Sequence, residues 1–155
     1  MAELKVGDKA PEFTLPSSDG SQVSLKDLKG KPFILYFYPK DDTPGCTKEA
    51  CDFRDLRKKF QSADAEIYGV SFDSIKSHQK FTTKYKLPFP LLADEDKSVA
   101  QKYGVYKQKS FMGKSYMGIE RSTFVIGPDQ KIAKVFPKVK VDGHADEVLA
   151  AVKSL

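Results

Sequence analysis

Phe33-Ile34-Leu35-Tyr36-Phe37-Tyr38 is an unbroken apolar and aromatic run that stops at Pro39. A strand with one wet face would alternate polar and apolar residues. This one does not, so it is expected to be buried on both faces, as in a sheet covered by helices on each side. The next stretch, 44–60, changes period: Ala50, Phe53, Leu56 and Phe60 recur at helical spacing, which predicts one helix opening at Pro44. Ile67-Tyr68-Gly69-Val70-Ser71-Phe72 then reads as a second buried strand.

Farther out, residues 74–85 are expected to form a helix capped by Ser74 or Asp73, and residues 98–103 a shorter one. Thr123-Phe124-Val125-Ile126 and Ile132-Ala133-Lys134-Val135-Phe136 flank the turn-forming Gly127-Pro128-Asp129-Gln130, a hairpin signature. A last helix over 144–154 would bury Val148, Leu149 and Val152. Upstream, Phe13-Thr14-Leu15 and Gln22-Val23-Ser24 can pair across Asp19-Gly20. Strand, helix, strand, helix, hairpin and closing helix is the element order of a thioredoxin-like fold. The fold class is therefore α/β, with a central mixed β-sheet flanked by helices and an N-terminal β-hairpin addition.

The chain has 155 residues, 40% hydrophobic and 30% charged, with no internal repeat or long linker, which suits one domain over 1–155. Its longest apolar run is far short of the about 20 residues that span a bilayer, and residues 1–9 lack the apolar core of a signal peptide. No membrane partner is expected, and a cytoplasmic location is. In a reducing compartment the two cysteines are better read as free or catalytic than as a structural staple. The net charge of +5 is nearly all scattered lysine, with Arg54, Arg57 and Arg121 the only arginines, so no nucleic-acid partner is expected.

The chemistry-bearing segment is Tyr38-Pro39-Lys40-Asp41-Asp42-Thr43-Pro44-Gly45-Cys46-Thr47-Lys48-Glu49-Ala50-Cys51. It begins at the carboxyl end of a buried strand, where open α/β sheets bind ligands. Thr43 is an expected N-cap with proline at the first helical position, which puts Cys46 in the first turn among unpaired backbone N–H groups. A helix start or a nearby cation favours the thiolate, the nucleophilic form of cysteine. Lys48 is a local cation and Arg121 a distant one. Asp41, Asp42 and Glu49 oppose a thiolate unless they face water or are paired.

The plain alternative is that both cysteines are inert core residues. Cys46, beside Pro44-Gly45, is a poor core position, whereas Cys51 could be one. Four residues separate the cysteines, unlike the Cys-x-x-Cys of dithiol oxidoreductases. A structural zinc site needs about four ligands, and only the isolated His78 and His144 remain. Neither metal nor cofactor is therefore expected, and both histidines read as ordinary helix or helix-cap residues.

With Pro39, Thr43 and Cys46 in the pattern Pro-x-x-x-Thr-x-x-Cys, the chain resembles the peroxiredoxins, and within them the bacterioferritin comigratory protein or peroxiredoxin Q group. The likeness includes Phe37-Tyr38-Pro39, Thr43-Pro44-Gly45-Cys46-Thr47, the stretch from Gly7 to Phe13 and that from Gly118 to Phe124. It implies a thiol peroxidase with Cys46 as peroxidatic cysteine and Cys51 as resolving cysteine on the same helix. It further implies that Thr43 orients the peroxide, Arg121 holds the thiolate and the developing oxygen charge, Pro39 shields the sulfenic acid and Glu49 orients Arg121. Implied partners are a hydroperoxide substrate and thioredoxin or a similar dithiol reductant, with a monomeric protein. Competing readings are a thiol–disulfide oxidoreductase, and a non-catalytic holdase or nucleic-acid-binding module. Phe111, Met112, Tyr116 and Met117 offer a possible apolar rim.

Overall fold

A computed structural model describes residues 4–155. The decisive run forms β3 (Phe33–Phe37), preceded by the hairpin β1 (Thr14–Pro16) and β2 (Gln22–Ser24) and a 3-10 turn, Leu25–Leu28. Then follow α1 (Pro44–Asp55), α2 (Arg57–Ser62), β4 (Glu66–Ser71), α3 (Ile75–Tyr85), β5 (Leu91–Ala93) and α4 (Ser98–Lys102). The chain continues through β6 (Tyr106–Phe111), β7 (Lys114–Ile119), β8 (Ser122–Ile126), β9 (Ile132–Phe136) and α5 (His144–Lys153).

The central sheet has the order β5-β4-β3-β8-β9. β4 pairs in parallel with β3 and β5, while β8 is antiparallel to β3 and β9, so the sheet is mixed. The structure is the expected thioredoxin-like α/β arrangement. Every residue of β3 is buried. Phe33, Leu35 and Phe37 pack with the N-terminal hairpin and α4, whereas Ile34 and Tyr36 pack with Cys46, Ala50 and Phe53 of α1, Phe81 of α3 and Val148 of α5. Strand alternation thus feeds two cores, one on each face.

On the α1 face, Tyr36 stacks on Phe53 with ring centroids 4.8 Å apart. Gly69 of β4 makes room for that ring, since a Cβ there would lie 2.8 Å from Tyr36 Cζ and 2.9 Å from Leu91 Cδ2. An alanine would have to displace a fully buried aromatic residue.

One local expectation is corrected, and two further elements were not expected. The single helix over 44–60 is two helices, broken at Leu56, whose N–H reaches both Asp52 O and Phe53 O. Phe53 and Phe60 are both buried in one core, and seven residues return to nearly the same helical face, so periodicity concealed the break. β5 is a three-residue strand directly after Pro90, without a turn like the Asp19-Gly20 that marked the equally short β1 and β2. β6 and β7 form a separate hairpin turned by Met112 (φ 51°) and Gly113 (φ 79°), exposed along most of its length and therefore without alternation. Phe111, Met112, Tyr116 and Met117 all stand exposed on it. Among the described residues, no helix is long and apolar enough to cross a membrane.

Candidate active site

Two strand ends build the site. β3 leads through Tyr38 and Pro39 into the turn before α1, and β8 runs antiparallel beside it with Phe37 opposite Ser122. This register brings Arg121, immediately before β8, to the first turn of α1. Thr43 occupies the N-cap position and Pro44 opens the helix, as expected. Cys46 follows in the first turn and is buried.

Arg121 Nη2 lies 3.3 Å from Cys46 Sγ, and Arg121 Nη1 donates to Glu49 Oε1 at 2.7 Å. Residues i and i+3 share a helix face, so Cys46 and Glu49 meet the same planar guanidinium. Gly45 permits the approach, because a Cβ there would sit 3.2 Å from Arg121 Nη2. Glu49 is 1% exposed, and among the described residues its Oε2 has no hydrogen-bond partner. Burial pushes the Glu49 carboxyl up to about 7, with the Arg121 charge and hydrogen bond pulling the other way. Arg121 itself is destabilised as a cation by burial, but Glu49 and Cys46 outweigh that and raise it. In the same core, the Tyr36 hydroxyl is also buried without a hydrogen-bond partner among the described residues and is held neutral chiefly by burial, reinforced by Glu49 and Cys46.

Thr43 does not cap the helix through its side chain: its hydroxyl donates to Lys40 O at 2.9 Å. Its oxygen lone pairs are the part left to meet another group. Pro39 and Thr43 are half-buried, and Cys51 is half-buried with a free thiol on the same helix as Cys46. Lys48, the other cation considered, pairs with Asp52 at 3.0 Å and with Asp142 at 3.7 Å. The structure therefore unites Cys46, Arg121 and Glu49, and places Thr43 and Pro39 in the turn leading to them.

The two aspartates that threatened a thiolate are accounted for. Asp42 takes hydrogen bonds from Lys84 Nζ (2.8 Å) and Tyr85 Oη (2.9 Å) of α3. Asp41 points inward, where Oδ1 accepts from Tyr38 Oη (2.5 Å) and Oδ2 meets Ser77 Oγ (2.8 Å) and His78 Nδ1 (2.7 Å).

Both histidines lie on helices, as expected, but each is buried with its ring engaged by other side chains. His78 is fully buried in this network, and His144, the first residue of α5, is buried with Nε2 2.8 Å from Thr123 Oγ1. Burial, then the Arg121 charge, pushes His144 down to about 4. Asp41, Asp73 and His78 place ligand-type atoms within 4.8 Å of one another. Those atoms are already engaged, with Asp73 Oδ2 accepting from Asp41 N and Ser71 Oγ, so the cluster is a hydrogen-bond network rather than an open ligand set. Sequence reasoning missed it because none of its members carries a motif. The Asp41-Asp42 doublet in a turn was the available hint.

A thiol in a helix's first turn, bonded to a guanidinium that a buried carboxylate aligns, suits a thiolate attacking an electrophile on which negative charge develops. The profile of the AhpC/TSA family matches residues 6–135. A putative peroxiredoxin bcp of Coxiella burnetii is 57% identical over 146 residues, covering 94% of this chain and 97% of that protein. Peroxiredoxin Bcp of Bacillus subtilis is 49% identical over 98% of this chain and 97% of its own. The solved bacterioferritin comigratory protein of Xanthomonas campestris, described for its alkyl peroxide reduction activity, superposes with a TM-score of 0.91 at 43% identity, over 97% of this chain and 98% of that one. This chain therefore belongs to the AhpC/TSA family, as a peroxiredoxin of the Bcp and peroxiredoxin Q group, and is a thiol peroxidase.

Proposed function

We propose that the chain, acting as one domain over 1–155, reduces hydrogen peroxide and organic hydroperoxides in the cytoplasm as a monomer, with Cys46 as nucleophile. The observation that carries this reading is the 3.3 Å contact between Arg121 Nη2 and Cys46 Sγ. The Cys46 thiolate attacks the terminal peroxide oxygen. The O–O bond breaks, the alkoxide leaves and takes up a proton, and the sulfur becomes a sulfenic acid. Arg121 donates both to the sulfur and to the oxygens gaining charge, and Glu49 keeps its fork in plane. The Thr43 hydroxyl, which donates its hydrogen bond to Lys40 O, accepts a hydrogen bond from the peroxide O–H. Pro39 covers the sulfenic acid. Alkyl hydroperoxides are included because the similar Xanthomonas campestris protein is described as reducing alkyl peroxide.

The Cys51 thiol then attacks the Cys46 sulfenic acid, forming a disulfide and releasing water. Thioredoxin or a similar dithiol reduces that disulfide and is itself oxidised. In a regular helix, residues five apart have Cα atoms roughly 8.6 Å apart, whereas a disulfide rarely tolerates more than about 7 Å. Both cysteines lie within α1, so its first turns unwind when the bond forms. Unwinding also takes Cys46 out of its buried position and presents the disulfide to the reductant.

The test is peroxide consumption with thioredoxin and its reductase. Cys46→Ser is expected to abolish turnover, and Cys51→Ser to allow a single turnover that stops at the sulfenic acid. Retained turnover in Cys46→Ser would overturn the assignment. For the disulfide step, mass mapping should find Cys46 bonded to Cys51, and amide exchange should quicken across residues 44–56 on oxidation. Equal protection in both states with the bond formed would refute the unwinding.

A further inference from the structure

We propose that His78 is a positioning residue for the thiol site: held as an imidazolium against Asp41, it latches the turn over residues 40–43, and with it the Thr43 hydroxyl, onto α3. The inference rests on the reading that Cys46 and Thr43 handle the peroxide.

The protonation state follows from what each ring nitrogen faces. His78 is fully buried, and its Nε2 lies 2.9 Å from Leu92 O, a carbonyl that can only accept, so Nε2 carries a hydrogen. Its Nδ1 lies 2.7 Å from Asp41 Oδ2. Asp41 is 8% exposed and already collects the hydroxyls of Tyr38 and Ser77, the pattern of a carboxylate that accepts at both oxygens. Nδ1 then also donates, which makes the ring a cation. A carboxylate this buried needs a compensating charge, and among the described residues no lysine or arginine bonds to it.

The latch reaches the site through the chain itself. Asp73 Oδ2 holds the Asp41 backbone N–H at 2.8 Å, and Ser71 Oγ holds Asp73 at 2.6 Å. The next residue, Asp42, has a left-handed φ of 57° and is held by Lys84 and Tyr85 at the far end of α3. Such a conformation costs about 1 kcal/mol or more outside glycine and persists where the surroundings impose it. Thr43 comes immediately afterwards. Two successive turn residues are thus bolted to one helix just before the N-cap, and Thr43 Oγ1 closes the turn on Lys40 O.

The experiment uses the full chain carrying Cys51→Ser, so that one thiol is followed. Its oxidation by hydrogen peroxide is compared with its alkylation by iodoacetamide, which has no peroxide for Thr43 to orient. His78→Gln, which keeps a donor toward Leu92 but none toward Asp41, should slow the peroxide reaction about tenfold or more and leave alkylation unchanged. His78→Asn, which keeps a donor near the Nδ1 position, should recover part of the peroxide rate. Nitrogen-15 NMR of the unmodified protein at neutral pH should show both His78 ring nitrogens protonated. Asp41→Asn, whose amide can donate to Nδ1, should leave only Nε2 protonated. A singly protonated ring in the unmodified protein overturns the ion pair. Peroxide and alkylation rates that fall together, or do not fall, in His78→Gln overturn the positioning role; if that variant does not fold, the same two rates in Asp41→Asn decide it. A failure of the Cys46 assignment is seen separately, as peroxide reduction persisting in Cys46→Ser.

Discussion

Two buried charged clusters flank the start of α1, and they are finished to different degrees. Around Asp41 and His78, each carboxylate oxygen of Asp41 and each ring nitrogen of His78 has a partner. Around Cys46, Glu49 Oε2 and Tyr36 Oη have none among the described residues, and burial pushes the Glu49 carboxyl up to about 7. A saturated network has one arrangement and resists change, whereas an unsatisfied buried polar atom costs about 1–3 kcal/mol that a rearrangement can recover. Rigidity is placed in the turn that aims the helix. The uncompensated groups sit at the thiol, where reaction alters the charge.

The largest expected effect comes from breaking the thiol cluster at its cation. Arg121→Met should lower kcat/KM for peroxide by about a hundredfold or more, the usual scale for removing one donor that faces developing charge. Arg121→Lys should fall between, since it keeps the charge but loses the planar fork that spans Sγ and the carboxylate. A change below twofold in Arg121→Met would show that the contact is ornamental.

The next effect is on stability, where Glu49 and His144 pull in opposite directions. Glu49 holds its proton to about 7 in the folded chain, against an ordinary value of 4.5. Between those values the folded state binds the extra proton, so its contribution to stability falls as pH rises. His144 is lowered from 6.5 to about 4, so between these values the unfolded state binds the extra proton and stability rises with pH. Each shift corresponds to at most about 3–4 kcal/mol, and the two slopes nearly cancel. Relative to the unmodified protein, Glu49→Gln should grow steadily more stable from about pH 4.5 to 7, while His144→Gln should lose stability over a similar range. Urea unfolding across that range measures both, and parallel curves for all three proteins would contradict the assigned shifts.

The smallest effect sharpens the geometry. In Gly45→Ala the new Cβ meets Arg121 Nη2 at 3.2 Å, so the guanidinium must retreat by a few tenths of an ångström. The peroxide rate should fall a few-fold while stability holds or rises slightly, because alanine is the better helix former by up to about 1 kcal/mol. A drop in stability without a drop in rate would mean that the helix, rather than the arginine, had yielded.

What the sequence determined by itself is local. The run into Tyr38 required a strand with two covered faces, the Thr43-Pro44 step required a helix start, and together they placed Cys46 in a first turn. The closing hairpin and last helix were legible for the same reason, since turn residues and hydrophobic period act over a few positions. The roles of Pro39, Thr43, Glu49 and Arg121 toward the peroxide came from resemblance, and no spacing implied that Arg121, 75 residues away, would reach Cys46.

Only the tertiary structure decided that contact, through the antiparallel register that sets Phe37 opposite Ser122. It also decided that Thr43 turns its hydroxyl to Lys40 O, that Asp41 faces inward to His78, and that the helix breaks at Leu56. The exposed β6–β7 hairpin escaped the sequence because it buries no alternating face. The physical reason is common to all of these. Strand register and the desolvation of a charged group depend on sums over groups far apart in the chain, and no short window of sequence contains those groups together.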